Sequence, residues 1–75
     1  METELSRIPV GGSARVAALH VPGGMRRRLL DLGMTPGTEL TCLFAAPGGD
    51  PRAYAVFGTV VAVRNDDAAR IRMRL

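Results

Sequence analysis

The chain has 75 residues, a hydrophobic content of 47% and a net charge of +3 at pH 7, and all ten of its basic residues are arginine. A chain this short closes one small core, which excludes two domains, and no apolar run approaches the roughly 20 residues needed to cross a bilayer. No secretory signal pattern opens the sequence, and the single cysteine, Cys42, cannot form an internal disulfide. We therefore expect one cytoplasmic domain without membrane insertion.

The first part of the chain is predicted to be a tail, a turn and a strand. We expect residues 1–4 to be a flexible N-terminal tail and residues 5–75 to form the single domain, starting with an apolar lead-in that turns at residues 9–12. Residues 13–21 have strand composition. Val16 and Leu19 are the expected core positions of this strand, and their odd spacing predicts a bulge or a twist between them.

A short helix is predicted after Pro22-Gly23-Gly24. Met25, Leu29 and Leu32 recur at i, i+4 and i+7, which predicts a helix face turned toward the core, with Leu29 as a structural residue. Gly33 stands where the left-handed residue that ends a helix belongs, and Met34 is placed to contact Leu29. The helix should therefore end at Leu32.

A tight turn and four more strands are predicted to follow the helix. Pro36 and Gly37 occupy the second and third positions of a four-residue turn, which is typical of type II. Asn65-Asp66-Asp67 is predicted to be an Asx turn, and Ala68 a small buried contact. The connections are too short for parallel crossovers, so the sheet should be antiparallel. Residues predicted to point inward from these strands are Leu40, Cys42, Phe44, Tyr54, Val56, Val61, Val63, Ile71 and Met73.

This order of elements predicts a mainly β fold. About five short antiparallel strands close best as a small barrel, with one helix between strands 1 and 2. Arg70, Arg72 and Arg74 should then form the solvated face of an edge strand.

The sequence contains no arrangement of residues typical of an enzyme. His20 and Cys42 are the only histidine and cysteine, which is far short of a metal ligand set or a catalytic triad. The glycine-rich segments lack the spacing of phosphate or dinucleotide loops and are predicted to be turns. We expect no catalytic residues, no cofactor and no metal site. Three aromatic residues, Phe44, Tyr54 and Phe57, are too few for a base-stacking surface, so no nucleic acid is expected.

Arg26, Arg27 and Arg28 are consecutive on the predicted helix, in what should be its first turns. The helix dipole makes cations unfavourable there, so local stability does not explain them. Leu30, off the Met25 and Leu29 face, is an apolar side chain in a basic surround, as in many interface anchors. Two interpretations stay open, a solvated helix face or a partner-binding patch. The candidate partner-binding residues are Arg26, Arg27, Arg28 and Leu30.

The combined pattern resembles the FeoA family, over about residues 5–73. The resemblance lies in RRLLDLGMTPGT, with Leu29, Leu32, Gly33, Pro36 and Gly37 as its structural motif, in PGGDP, and in the strand from Gly58 to Arg64. It implies an SH3-like barrel without catalysis or cofactor that takes part in bacterial iron transport. The implied partner is the cytoplasmic side of the ferrous-iron transporter FeoB. Binding of transition metal ions is implied for the family as a whole.

The chain departs from the family pattern at Arg52 and Val63, where aliphatic and leucine side chains are usual. Arg52 is expected to be a private partner contact at a loop edge. The sequence is also similar to the C-terminal module of DtxR-type metalloregulators. The alternative function is therefore a stand-alone SH3-like module that binds a peptide or protein of another regulator, and a weak homo-oligomer also stays open.

Overall fold

The computed structural model describes all 75 residues as one antiparallel sheet with a helix packed against it. The strands are β1 (Glu2–Glu4), β2 (Ser13–Leu19), β3 (Glu39–Ala45), β4 (Arg52–Val56), β5 (Thr59–Val63) and β6 (Ile71–Arg74), and the helices are α1 (Gly23–Asp31) and α2 (Asn65–Ala68). A 3₁₀ turn covers Leu5–Arg7. The strand order in the sheet is β1-β6-β2-β3-β4-β5, so β1 and β5 are the two edges.

The sheet curls around a single core, which confirms the predicted small antiparallel barrel. Val61 and Val63 of the edge strand β5 share one apolar cluster with Ile71 and Met73 of β6, although three strands separate β5 from β6 in the sheet. The barrel has six strands rather than about five, and α1 lies between the second and third of them. The difference arises because the N-terminal residues add a strand.

The predicted flexible tail at residues 1–4 is wrong. Glu2–Glu4 forms β1 and pairs with β6, and the Leu75 amide donates a hydrogen bond of 2.9 Å to the Met1 carbonyl oxygen. β6 is therefore an interior strand, flanked by β1 and β2, and its arginines do not line an edge as predicted. Arg72 instead forms an exposed ion pair with Glu2 at 3.8 Å.

Two bulges bend the sheet. The bulge predicted in β2 is present, between Val16 and Ala18. A second bulge, between Cys42 and Phe44 of β3, was not predicted. Leu40 and Cys42 before it are fully buried as expected, whereas Phe44 after it is 57% exposed, so its inward assignment is wrong. An extra residue in one strand changes which side chains face the core beyond it.

Helix α1 ends in the predicted left-handed residue. Gly33 has a φ of 101°, the Gly33 amide donates to the Leu30 carbonyl oxygen, and the Met34 amide donates to that of Leu29, each at 3.0 Å. These two bonds are the Schellman pattern. The predicted type II turn follows, with a positive φ at Gly37.

The core-facing side of α1 is centred on Leu29. Leu29 is only 2% exposed, and Met25 is partly buried beside it. The prediction for Leu32 is wrong, because this residue is 36% exposed. Leu32 is the C-cap rather than part of the helix, and Met34 takes the fully buried position after the chain reverses. Leu30 also packs against the core, although it was predicted to lie off it.

Two connections near β5 fix the end of the barrel. Phe57 and Gly58 both have positive φ, so β4 and β5 are joined by a two-residue hairpin of the type I′ kind. The predicted Asx turn at Asn65 is the short helix α2 instead, with Ala68 fully buried as expected. The backbone N–H of Asn65 donates a hydrogen bond to Asp50 Oδ1, and its side-chain Nδ2 donates one to the Gly49 carbonyl oxygen, each at 3.0 Å.

Arg52 is a structural residue rather than the partner contact expected at a loop edge. Its two η nitrogens donate hydrogen bonds of 2.8 Å to the carbonyl oxygens of Ser6 and Ile8, which ties β4 to the N-terminal lead-in. Tyr54 lies nearby, fully buried, and its hydroxyl has no hydrogen-bond partner. Burial raises the pKa of Tyr54 above its usual range, and the positive charge of Arg52 partly offsets this.

We expect Leu29→Ala to lower the free energy of unfolding by about 2–5 kcal/mol, because it leaves a cavity between α1 and the barrel. Chemical denaturation monitored by circular dichroism measures the loss. Leu32→Ala, the same change at the C-cap three residues later, is the control and should cost much less, since Leu32 is 36% exposed. Equal losses for the two variants would contradict the assignment of Leu29 as the core residue.

Gly33→Ala should destabilise the domain more than Gly37→Ala. Both glycines have positive φ, so both variants carry backbone strain of about 1–2 kcal/mol. A Cβ on Gly33 would also lie 2.7 Å from Phe57 Cδ2, whereas a Cβ on Gly37 meets nothing within 4 Å. Denaturation of both variants, with and without Phe57→Ala, separates strain from collision. The extra loss at Gly33 should disappear in the Phe57→Ala background, and its persistence there would argue against the collision.

Tyr54→Phe should make stability less dependent on pH above about 10. The raised pKa means that the folded state keeps the phenol protonated while the unfolded chain ionises near its usual value of 10.0. Stability from this group is therefore complete below pH 10.0 and is lost as the pH rises toward the folded-state pKa. At neutral pH the variant should be equally or more stable, because an unpaired buried hydroxyl is removed. Denaturation at pH 7 and about pH 11 tests this, and an unchanged alkaline loss would refute it.

Candidate protein-binding surface around helix α1

Helix α1 presents three consecutive arginines on the outside of the barrel. Arg26, Arg27 and Arg28 are all exposed, and none forms an ion pair or a side-chain hydrogen bond. The helix begins at Gly23, earlier than its apolar spacing suggested, so these residues lie in its middle and Arg28 in its last turn. Arg28 therefore lies where the helix dipole favours a cation, so the predicted conflict does not apply to this residue.

The arginines of this chain divide into engaged and free side chains. Arg7 and Arg72 form ion pairs, and Arg15 and Arg52 donate to backbone carbonyl oxygens. Each of these four side chains has a partner within the chain. The arginines with no such side-chain contact are Arg26, Arg27, Arg28, Arg64, Arg70 and Arg74.

Arg26 and Arg27 lie on one side of α1, along a shallow groove of about 230 Å³ that we call the outer groove. Leu30 and Asp31 also line this groove. Leu30 is half-buried and packs against the core, so only part of its surface is available to a partner. The outer groove thus combines two free positive charges with a limited apolar contact, a composition typical of interface surfaces.

Arg28 lies on the other side of α1, toward the edge strand β5. It lines a second groove of about 160 Å³, which we call the seam groove, together with Met25 and Leu29. Residues 61–64 of β5 and the position after it form the opposite wall. Arg28 is thus on the same side of α1 as Met25 and Leu29. The structure therefore separates the four candidate residues, with three at the outer groove and one at the seam groove.

The remaining chemically active side chains do not come together. His20 is exposed after the end of β2, and Cys42 is buried in the core. No group of three or more histidine, cysteine, aspartate or glutamate side chains is arranged to hold a metal ion. None of the helices is both long and apolar enough to cross a membrane. Both grooves of the structure border α1.

Comparison with known proteins agrees with this architecture. The family model of the FeoA domain matches residues 3–75 of this chain. A FeoA protein from Chlorobium tepidum has 33% sequence identity and a TM-score of 0.94, covering 97% of this chain and 70% of that one. The FeoA of Stenotrophomonas maltophilia, described as an SH3 domain protein in complex with zinc, has 30% identity and a TM-score of 0.80, covering 96% of each chain.

A longer relative joins the same domain to a transporter. It is the Fe(2+) transport protein A/Fe(2+) transporter FeoB fusion protein of Porphyromonas gingivalis, which is 32% identical over 71 residues. The match covers 95% of this chain, and the chain spans only 8% of the length of that relative. Since the family model spans all but two residues and the FeoA structures share the whole barrel, the chain belongs to the FeoA family.

Proposed function

We propose that this chain is a non-catalytic accessory protein of ferrous-iron uptake, which acts in the cytoplasm by binding the cytoplasmic side of a FeoB-type transporter. The observation that carries the proposal is the relative in which a FeoA domain and FeoB are parts of one polypeptide. Two domains that are fused in one protein are held at high effective concentration, and separate chains with the same partnership need a binding surface instead.

The surface around α1 has the properties required for such binding. Arg26, Arg27 and Arg28 have no partner within the chain, so an acidic partner displaces no internal contact when it meets them. Exposed charges of this kind mainly accelerate and orient the encounter, while a partly exposed apolar side chain such as Leu30 adds contact area. The transporter would therefore present acidic side chains to α1.

The alternative, a module that binds a peptide or protein of another regulator, uses the same barrel. No particular contact in the structure favours a partner other than the transporter, and the fusion relative favours FeoB. The two functions differ in a direct binding measurement, because only the first requires affinity for the transporter.

Arg27→Glu combined with Arg28→Glu should weaken binding to the purified full-length transporter by more than about tenfold at low salt. The difference from the parent should shrink as ionic strength rises, because salt screens exposed charges. Arg70→Glu combined with Arg74→Glu is the matched control. It makes the same change in net charge with two arginines that are also exposed and unpaired but line neither groove beside α1.

Circular dichroism must show that each variant is folded before its binding is interpreted. Equal affinities of the α1 double variant and the parent would place the binding surface elsewhere. Equal losses in the α1 variant and the control would mean that only total charge matters. If the folded parent shows no binding to the transporter in any nucleotide state, the proposed function itself is wrong.

A further inference from the structure

The two edges of the sheet differ in how they are protected against a further strand. β1 has the sequence Glu-Thr-Glu, which puts two charged side chains on one edge. β5 reads Thr-Val-Val-Ala-Val and has no charge or proline, although it is the other edge. Charges and short length normally discourage pairing at an edge, whereas an uncharged β-branched strand favours it. The β5 edge is therefore the one suited to accept a strand.

The hydrogen-bonding groups of Val60 and Ala62 point toward this open edge. In the hairpin, Val56 pairs with Thr59 next to the two-residue turn, and the pairs then alternate along the strands. Hydrogen-bonded and non-hydrogen-bonded pairs alternate in an antiparallel ladder, and the pair next to a two-residue turn is hydrogen-bonded. Val60 and Ala62 therefore belong to non-hydrogen-bonded pairs, so their N–H and C=O groups have no partner in β4. No other backbone bond in the chain uses them. Two N–H groups and two carbonyl oxygens are thus free.

The seam groove runs beside this edge and supplies side-chain contacts for a bound strand. Met25 and Leu29 form its apolar wall on α1, and Val61 and Val63 face it from β5. Arg28 and Arg64 lie at its rim, both exposed and without ion pairs. These two positive charges outnumber the one carboxylate of the groove, that of Asp67. An extended segment with acidic side chains fits this balance.

We propose that the free edge of β5 pairs with an extended, acidic segment of the transporter, which lies along the seam groove between β5 and α1. The main chain of the segment bonds to Val60 and Ala62, and its acidic side chains face Arg28 and Arg64. Alternate side chains of the segment point into the groove, where an apolar one contacts Met25. This inference rests on the proposed function, because the segment belongs to the FeoB-type partner.

Amide hydrogen exchange of the 75-residue chain, alone and bound to the purified full-length transporter, tests the pairing directly. In the free chain the amides of Val60 and Ala62 should exchange rapidly, while those of Val61 and Val63 are protected by β4. In the complex, the exchange of Val60 and Ala62 should slow by about tenfold or more.

Ala62→Pro provides a second measurement. It removes one free N–H without removing a bond of the β4–β5 ladder, since proline is tolerated at such edge positions. Binding to the transporter should weaken by about tenfold. Glu2→Pro is the control that puts the same ring on the β1 edge, and it is compared with Glu2→Ala because both variants lose the ion pair with Arg72. The affinities of these two variants should agree within about twofold. Retained protection of Val61 and Val63 shows that the hairpin of the Ala62→Pro variant is intact.

The outcomes distinguish this proposal from the function on which it rests. A complex that forms while Val60 and Ala62 still exchange rapidly overturns the strand pairing and leaves the proposed function standing. The absence of any complex overturns both. Protection of the same two amides in the free chain as its concentration rises would show that a second copy occupies the edge, which also overturns the transporter segment as its occupant.

Discussion

The left-handed backbone at Gly33 is the constraint on which the arrangement of this domain depends. It ends α1, turns the chain back and puts Met34 into the core beside Leu29. The ring of Phe57, from the β4–β5 hairpin, lies so close that a Cβ at position 33 would be 2.7 Å from it. One glycine therefore ends the helix, directs Met34 into the core and leaves room for the ring of Phe57.

The features predicted correctly from the sequence are those determined by a few neighbouring residues. Gly33 and Gly37 have the positive φ that their places after a helix and in a turn require, and Tyr54 points inward as alternation predicts. The errors at Phe44 and at residues 1–4 depend on residues far away in the chain. The bulge that exposes Phe44 exists only in the pairing of β3 with β4, and β1 is a strand because β6 offers it a partner. Neither condition is visible in a local pattern.

The candidate surface was predictable in composition but not in geometry. A run of three arginines close to Leu30 is evident in the sequence. Which of these arginines lies at the outer groove and which at the seam groove depends on how α1 is rotated against the barrel. The 3.6-residue period puts Leu32 close to Met25 on a helical projection, so a continuous helix would bury both. The helix instead ends before Leu32, and the buried face shifts toward Leu30. Arg28 then faces β5, away from Arg26 and Arg27.

The free arginines flank the uncharged edge of β5 rather than lying on it. Val61 and Val63 are core residues, so β5 cannot carry charges at those positions without losing burial. The exposed positions of β5 carry no charge either, and the basic side chains of the seam groove are Arg28 on α1 and Arg64 after the strand. The uncharged strand leaves the edge able to pair, whereas the two arginines select the segment that pairs with it, because an acidic strand meets them with favourable charge and a basic strand does not.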